Sequence, residues 1–250
     1  IYVSRSTDDG ATWSRWVQAS PPIPAFPITV PPDCCLNGGF RDGILENFAS
    51  SPTYPGHLYM TWEQWNDGQF DVMFSQSVNG GRSWSQPVQV NDPDPNDQFQ
   101  PSVAAGPNGA VGVAFYDRRL ACPNDPSIGA GNAGAANLCI DTTLQAFKDS
   151  GSGAVPVGGN VRISNFSWDP TQPLQTIDGL PQESCAGHSI PCRRGFIGDY
   201  FGLAISARNI YAFFVSTHYP SSVIGDQGTP VYYQQQVLST VPRSAFGTGF

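Results

Sequence analysis

Three stretches of this chain place a polar, hydrogen-bonding residue at a matching point: Glu46, Gln100 and Asp199, aligned through Trp62, Phe115 and Phe214 in the strand-like segments that follow. Arg41, Asp42, Asp97, Arg193, Arg194 and Tyr200 flank them. Carboxylates accept hydrogen bonds from hydroxyl groups, and an arginine fork grips a carboxylate bidentately, so this set suits an anionic sugar. Strands that line a wet channel are polar for structural reasons as well. Each residue alone therefore says little, and the reading rests on the set. The expected ligand-binding residues are Arg41, Glu46, Gln100, Arg194 and Asp199, and the catalytic candidates by position are Asp199, Tyr200 and Glu46.

Other residue groups suggest other chemistry. Asp92, Asp94 and Asn96 put oxygen ligands at alternate positions, as calcium loops do, but the Gly and distal Glu of an EF-hand are missing. A solvated acidic turn has the same composition, so Ca2+ is one of two readings there, and no other cofactor is called for. The six cysteines are Cys34, Cys35, Cys122, Cys139, Cys185 and Cys192. None forms a CxxC pair, and with only His57, His188 and His218 beside them no zinc ligand set takes shape. An even count in a Pro-rich chain whose only lysine is Lys148 points to an oxidising compartment. Proximity favours Cys122–Cys139 and Cys185–Cys192. Cys34 and Cys35 then form a vicinal bridge or pair elsewhere. Tyr116-Asp117-Arg118-Arg119 reads as a structural Asp–Arg pair at a strand end, and Asn165-Phe166-Ser167 is a glycosylation sequon that matters only in a eukaryotic secretory host.

The elements that must position these residues are strands. Only 13% of the 250 residues are charged, too few for the outer faces of amphipathic helices, while 27 Gly and 23 Pro supply turns. A hydrophobic content of 40% is ample for a folded core and argues against disorder. The net charge is −8 and the eleven arginines form no basic stripe, which excludes nucleic acid as a partner. No apolar run approaches a membrane span. The chain opens in strand residues Ile1-Tyr2-Val3 with no leader visible, so its start reads as processed, truncated or partly observed.

A repeat organises the chain. Ser6-Thr7-Asp8-Asp9-Gly10-Ala11-Thr12-Trp13 returns as Ser77-Val78-Asn79-Gly80-Gly81-Arg82-Ser83-Trp84, each between short strands. The Asp or Asn side chain can accept N–H groups of its own turn, Gly supplies a positive φ, and the Trp can close over the hairpin. This Ser-x-(Asp/Asn)-x-Gly-x-(Ser/Thr)-Trp pattern is the Asp-box, and it resembles the repeat of sialidases and other BNR-repeat propellers. The resemblance implies an all-β, sialidase-like β-propeller, six-bladed when complete, with the boxes on the outer rim and the site near the axis. Gly56–Gln64, Gly109–Asp117 and Asn209–Val215 are the matching second strands. About four blades or part-blades are thus expected in a single propeller domain or fragment: a part-blade at 1–20 and blades at about 40–92, 97–164 and 195–240. Further blades are expected upstream. Residues 44–92 should form a four-stranded antiparallel sheet with its outer turn at Asn79–Gly81 and Trp84 largely buried. A β-sandwich is the other arrangement that hairpin repeats allow. Segments 21–43, 120–139 and 166–195 exceed blade turns and read as insertions, either specificity loops or loops that disulfides merely restrain.

Sialidases carry an arginine triad, a Tyr–Glu nucleophile pair and an Asp acid/base. The family's first arginine lies in Phe-Arg-Ile-Pro ahead of the first box. Here Phe40-Arg41-Asp42-Gly43 comes nearest, but it follows a box and lacks Ile-Pro, and no Tyr–Glu pair matches. The expectation is therefore a secreted, glycan-related propeller that binds or hydrolyses extracellular carbohydrate, with a sialidase-like exo-glycosidase activity left open. The alternative is a non-catalytic structural or protein-binding propeller of an extracellular assembly. Expected partners are a carbohydrate or glycoprotein, with oligomerisation open.

Overall fold

The computed structural model describes residues 1–23, 36–37, 42, 46–66, 68–128, 131–170, 176–177, 180–181, 197–247 and 249–250, with the backbone alone at 176–177 and 180–181. Among these residues the fold is all-β, with two short 3-10 turns and no α-helix. The strands are β1 (Tyr2–Val3), β2 (Val17–Gln18), β3 (Glu46–Ser50), β4 (Leu58–Asn66), β5 (Gln69–Ser77), β6 (Val88–Gln89), β7 (Gln98–Ala105), β8 (Ala110–Asp117), β9 (Asp141–Asp149) and β10 (Ala154–Arg162). They continue as β11 (Thr176–Ile177), β12 (Leu180–Pro181), β13 (Gly202–Ile205), β14 (Asn209–Ser216), β15 (Pro220–Ile224), β16 (Pro230–Tyr232) and β17 (Gln235–Pro242).

Every pairing among the described residues is antiparallel, and the main sheets follow chain order. Strands β3 to β6 form the expected four-stranded sheet, β7 to β10 a second, and β13-β14-β17 a third, while β1-β2 is a two-stranded ribbon. The third sheet departs from expectation in one detail. Its outer strand is Gln235–Pro242, whereas Pro230–Tyr232 turns aside to pair with Pro220–Ile224.

The sheets stack face to face because alternate residues of a strand point to opposite sides. On β8, Val111, Val113 and Phe115 join Tyr59, Val72 and Phe74 of the first sheet, and the Phe74 and Phe147 rings stack 4.7 Å apart. The intervening Ala114 and Tyr116 face the third sheet, where they meet Ile210, Ala212 and Phe214. β8 is buried along its whole length, which explains why its sequence is apolar on both faces. Each such side chain contributes about 1.5–3 kcal/mol on leaving water. The first sheet's other face holds Met60 and Trp62 against Ala19, Ile1 and Val3 of the β1-β2 ribbon.

The two Asp-box turns are built as the spacing predicts. Ser6 Oγ donates to Asp8 Oδ1 at 2.8 Å, and it accepts the Gly10 N–H at 2.9 Å. Asp8 Oδ1 accepts the Thr12 N–H at 2.9 Å. In the second turn Ser77 Oγ donates to Asn79 Oδ1 at 3.0 Å and accepts Gly81 N–H at 2.9 Å, while Asn79 Oδ1 accepts Ser83 N–H at 3.0 Å. Gly10 (φ +88°) and Gly81 (φ +78°) occupy the left-handed region that a side chain would resist. Trp84 lies half-buried against the Met60–Trp62 cluster.

Candidate functional site

The first strands of the three main sheets, β3, β7 and β13, lie side by side. Asn47 Oδ1 accepts the Val103 N–H at 3.0 Å, and Gln100 Nε2 donates to the Gly198 carbonyl, just ahead of β13, at 2.8 Å. β7 is bulged between Phe99 and Ser102, and Gln100 on that bulge has φ +44°. A bulge re-aims side chains at a strand end, and a non-glycine residue in this region costs of order 1–3 kcal/mol, which the surroundings must offset. The offset is visible: the Gln100 N–H donates to Glu63 Oε2 at 2.7 Å, and its Nε2 amide reaches across to the next sheet.

The bulge brings the expected residues together. Glu46, Asn47, Gln100, Asp199, Tyr200 and Phe201 line one cavity of about 80 Å³. At about 30 Å³ per water, that space accommodates a few waters or one polar group of a ligand. Glu46 and Asp199 are exposed, Tyr200 is 88% exposed, and Gln100 is buried. Arg41, Arg193, Arg194, His188 and the Cys34, Cys35, Cys185 and Cys192 positions lie outside the described residues.

Behind Gln100 runs a buried charged layer that sequence reasoning did not assemble. Glu63 shares its strand face with Tyr59 and so points at the second sheet, where its side chain is fully buried. Burial pushes its carboxyl well above the usual range, Asp42 and Asp97 add to the rise, and the Gln100 N–H opposes it. Glu63 thus keeps a proton well above the pH at which a surface glutamate ionises. Arg118 is also fully buried, its guanidinium 5.4 Å from the Phe99 ring, with Nη1 donating to the Asn37 carbonyl at 3.1 Å and lying 3.9 Å from Asp97 Oδ2. Burial pushes its pKa down to about 10, against the pull of Asp97, Asp42 and Asp169. The Gln100 backbone stands between Glu63 and the cavity. Glu63 is accordingly a residue that positions Gln100 rather than one that touches a ligand. The signal was a lone Glu inside an apolar strand, Met60-Thr61-Trp62-Glu63, which called for a buried partner.

The expected Asp–Arg pair at the end of β8 is formed by Asp117 and Arg119, with Arg119 Nε 2.6 Å from Asp117 Oδ2. In the acidic segment, Asp92 Oδ2 accepts the Asn160 N–H and lies 3.4 Å from Arg119 Nη1, while Asp94 Oδ1 accepts from the backbone N–H and the side-chain amide of Asn96. These three oxygen-bearing residues serve an inter-strand link and a turn. Among the described residues no cluster of three or more His, Cys, Asp or Glu side chains could hold a metal ion. Cys122 and Cys139 are disulfide-bonded as expected, and they pin the loop between β8 and β9. No helix among the described residues is long and apolar enough to cross a membrane.

No family model matches this chain, nor does any curated protein. Among solved structures, the α-L-arabinofuranosidase PaAbf62A from Podospora anserina, in complex with cellotriose, is 11% identical over 78% of this chain and 53% of its own, with a TM-score of 0.36. This chain therefore spans about half the length of that protein. A complex of BT0996 with RGII is 9% identical, with 81% of this chain and 72% of that one covered and a TM-score of 0.23. Both likenesses are too distant to carry fold or function, so the functional reading rests on the geometry of the site.

Proposed function

We propose that this chain is part of a secreted, sialidase-like β-propeller, six-bladed when complete, which binds extracellular carbohydrate at the axis-facing ends of its innermost strands. The observation that carries the reading is the meeting, at a single cavity, of Glu46 and Gln100 on the first strands of two successive sheets and Asp199 on the bend just ahead of the third. Face-to-face stacking in chain order, adjacent first strands and two Asp-box turns of the same hydrogen-bond pattern support the propeller. The Cys122–Cys139 disulfide supports an oxidising compartment. In this reading Arg41 and Arg194 supply the charge for an acidic sugar, and Asp199, Tyr200 and Glu46 are the groups placed to act on it if the protein hydrolyses its ligand.

Calorimetry with sialyllactose tests the site. Tyr200→Ala and Arg194→Ala are each expected to weaken binding about tenfold or more, about 1.4 kcal/mol. Tyr200 is exposed, so its removal should leave the melting temperature nearly unchanged. Affinity that survives both substitutions would retire the axis site. A second reading, a structural or protein-binding propeller, draws on the exposed Tyr2, Trp13 and Trp16 along the β1-β2 ribbon. Absence of glycan binding together with self-association lost in Trp16→Ala would select it.

A further inference from the structure

Away from the axis cavity, the loop pinned by Cys122–Cys139 and the start of the β14–β15 connection enclose a cleft of about 620 Å³, within the ~300–1,000 Å³ of ligand pockets. Its back wall is aromatic and rigid. The Phe166 and His218 rings stack 4.2 Å apart, and Tyr219 meets both edge-on at 5.3 and 4.8 Å. Phe166 is buried, while Tyr219 is 42% exposed and offers part of its ring to the cleft. The opposite wall is held by the disulfide, by a small core of Ile128 and Leu138, and by backbone bonds from Cys122 N–H to Ala135 O and from Gly134 N–H to Cys122 O. A ligand would therefore meet a preorganised surface.

The polar groups are equally constrained. Asp125 Oδ1 accepts the Ser127 hydroxyl at 2.6 Å, and Ser127 Oγ lies 3.0 Å from His218 Nδ1. With its proton committed to Asp125, the serine oxygen takes the Nδ1–H of His218, which fixes the ring's orientation and leaves Nε2 on the side away from that bond. Arg162 is half committed: Nε lies 2.7 Å and Nη2 2.5 Å from Asp141 Oδ1. Its Nη1 makes no hydrogen bond among the described residues, and neither do the Asn165 amide and the Tyr219 hydroxyl.

The geometry points to this cleft as a binding site for neutral carbohydrate. An aromatic ring face is electronegative and receives the C–H face of a sugar, while amide, guanidinium and imidazole groups match its hydroxyls. Charge decides against an acidic ligand. The Arg162 guanidinium is paired with Asp141, and Asp125 adds a carboxylate to the lining, held by the Ser127 hydroxyl and N–H. A docked carboxylate would meet repulsion from Asp125, while the one guanidinium in that lining is already paired with Asp141. The site does not rest on the axis proposal and differs from it in the sign of the ligand it accepts.

The full chain is titrated calorimetrically with lactose, cellobiose and maltose as neutral probes, and with sialyllactose and digalacturonic acid as acidic ones. At least one neutral disaccharide is expected to bind, with affinity lowered about tenfold or more by Tyr219→Ala and by Asn165→Ala and unchanged by Tyr200→Ala. Thermal melts of both cleft variants should match the parent, since both residues are exposed. Saturating sialyllactose should not displace the neutral probe. Lack of saturable binding by all three neutral probes would overturn the proposal. So would binding insensitive to both cleft variants, or a cleft-dependent preference for an acidic probe.

Discussion

Residues 1–19 and 72–90 are two copies of one structure, shifted by 71 positions. Ser14 N–H meets the Arg5 carbonyl at 2.8 Å, and Ser85 N–H meets that of Gln76 at 2.8 Å. Ala19 N–H bonds to Ile1 as Val90 N–H bonds to Val72. The turns between them share the Ser-to-Asp or Ser-to-Asn bond and both backbone amide bonds. Yet the closing tryptophans differ, for Trp13 is 65% exposed and Trp84 is half-buried against the ribbon that the first copy itself forms. A turn satisfies itself within eight residues, whereas a tryptophan is covered only by what packs beside it. A third turn, between β9 and β10, sharpens the contrast. There Asp149 accepts Gly151 N–H at 2.7 Å through Oδ1, but turns Oδ2 outward to the first sheet, 2.6 Å from both His57 Nδ1 and Tyr59 Oη. The same kind of carboxylate closes a turn in one place and joins two sheets in another.

Asp149→Ala tests that contrast with the largest expected effect. It strands the buried Tyr59 hydroxyl and His57 ring at once, and the expected loss is about 3 kcal/mol in urea unfolding. A loss near that of an exposed turn residue would mean that the sheets do not depend on this link. Next comes the tryptophan pair. Trp84→Ala should cost about 2 kcal/mol through lost packing, and Trp13→Ala less than about 0.5 kcal/mol, compared by their urea midpoints. Equal costs would show that the two copies are packed alike in solution.

The smallest effect separates the turns by pH. Hydrogen bonds from the Thr12 hydroxyl and backbone, and from Ser6, lower the Asp8 pKa to about 2 from an unfolded value near 3.8. Because the folded pKa is the lower one, the stabilisation is complete above the unfolded value and is lost as pH falls through about 2. Asn79 cannot titrate. The Asp8 carboxyl resonance should therefore show a midpoint near 2, and Thr12 amide exchange should rise relative to Ser83 as the acid is added. A midpoint near 4 would mean that the first turn opens in solution.

Much of the fold was legible because it repeats on a short scale. The strand cores Leu58–Asn66 and Ala110–Asp117, the Asp-box turns and the Cys122–Cys139 bridge all follow from alternation, turn chemistry or proximity. Aligning second strands also brought Glu46, Gln100 and Asp199 to a common level, and all three line one cavity. The bulge that gives Gln100 its positive φ was not legible, since nothing local to Phe99-Gln100-Pro101 announces that Glu63 waits across the sheet. Nor was the cleft, whose Asp125, Arg162 and His218 come from three separate parts of the chain. The third sheet's outer strand slipped past Val231–Gln234 because two adjacent β-prone stretches competed for one partner, and pairing along all of β14 favoured the longer.

By itself, then, the sequence determined the local hydrogen-bonded units: the strands of the first two sheets, how each Asp-box closes and that Cys122 can meet Cys139 across a loop. These depend on backbone geometry and on donors and acceptors a few residues apart. The stacking of sheets decided the rest. Burial raised the Glu63 carboxyl and lowered the Arg118 guanidinium, set Asp149 between two sheets and left Trp13 open where its twin is half-covered. Desolvation and Coulomb forces depend on what surrounds a group in space, and in this chain those surroundings come from residues about 20 to 100 positions away.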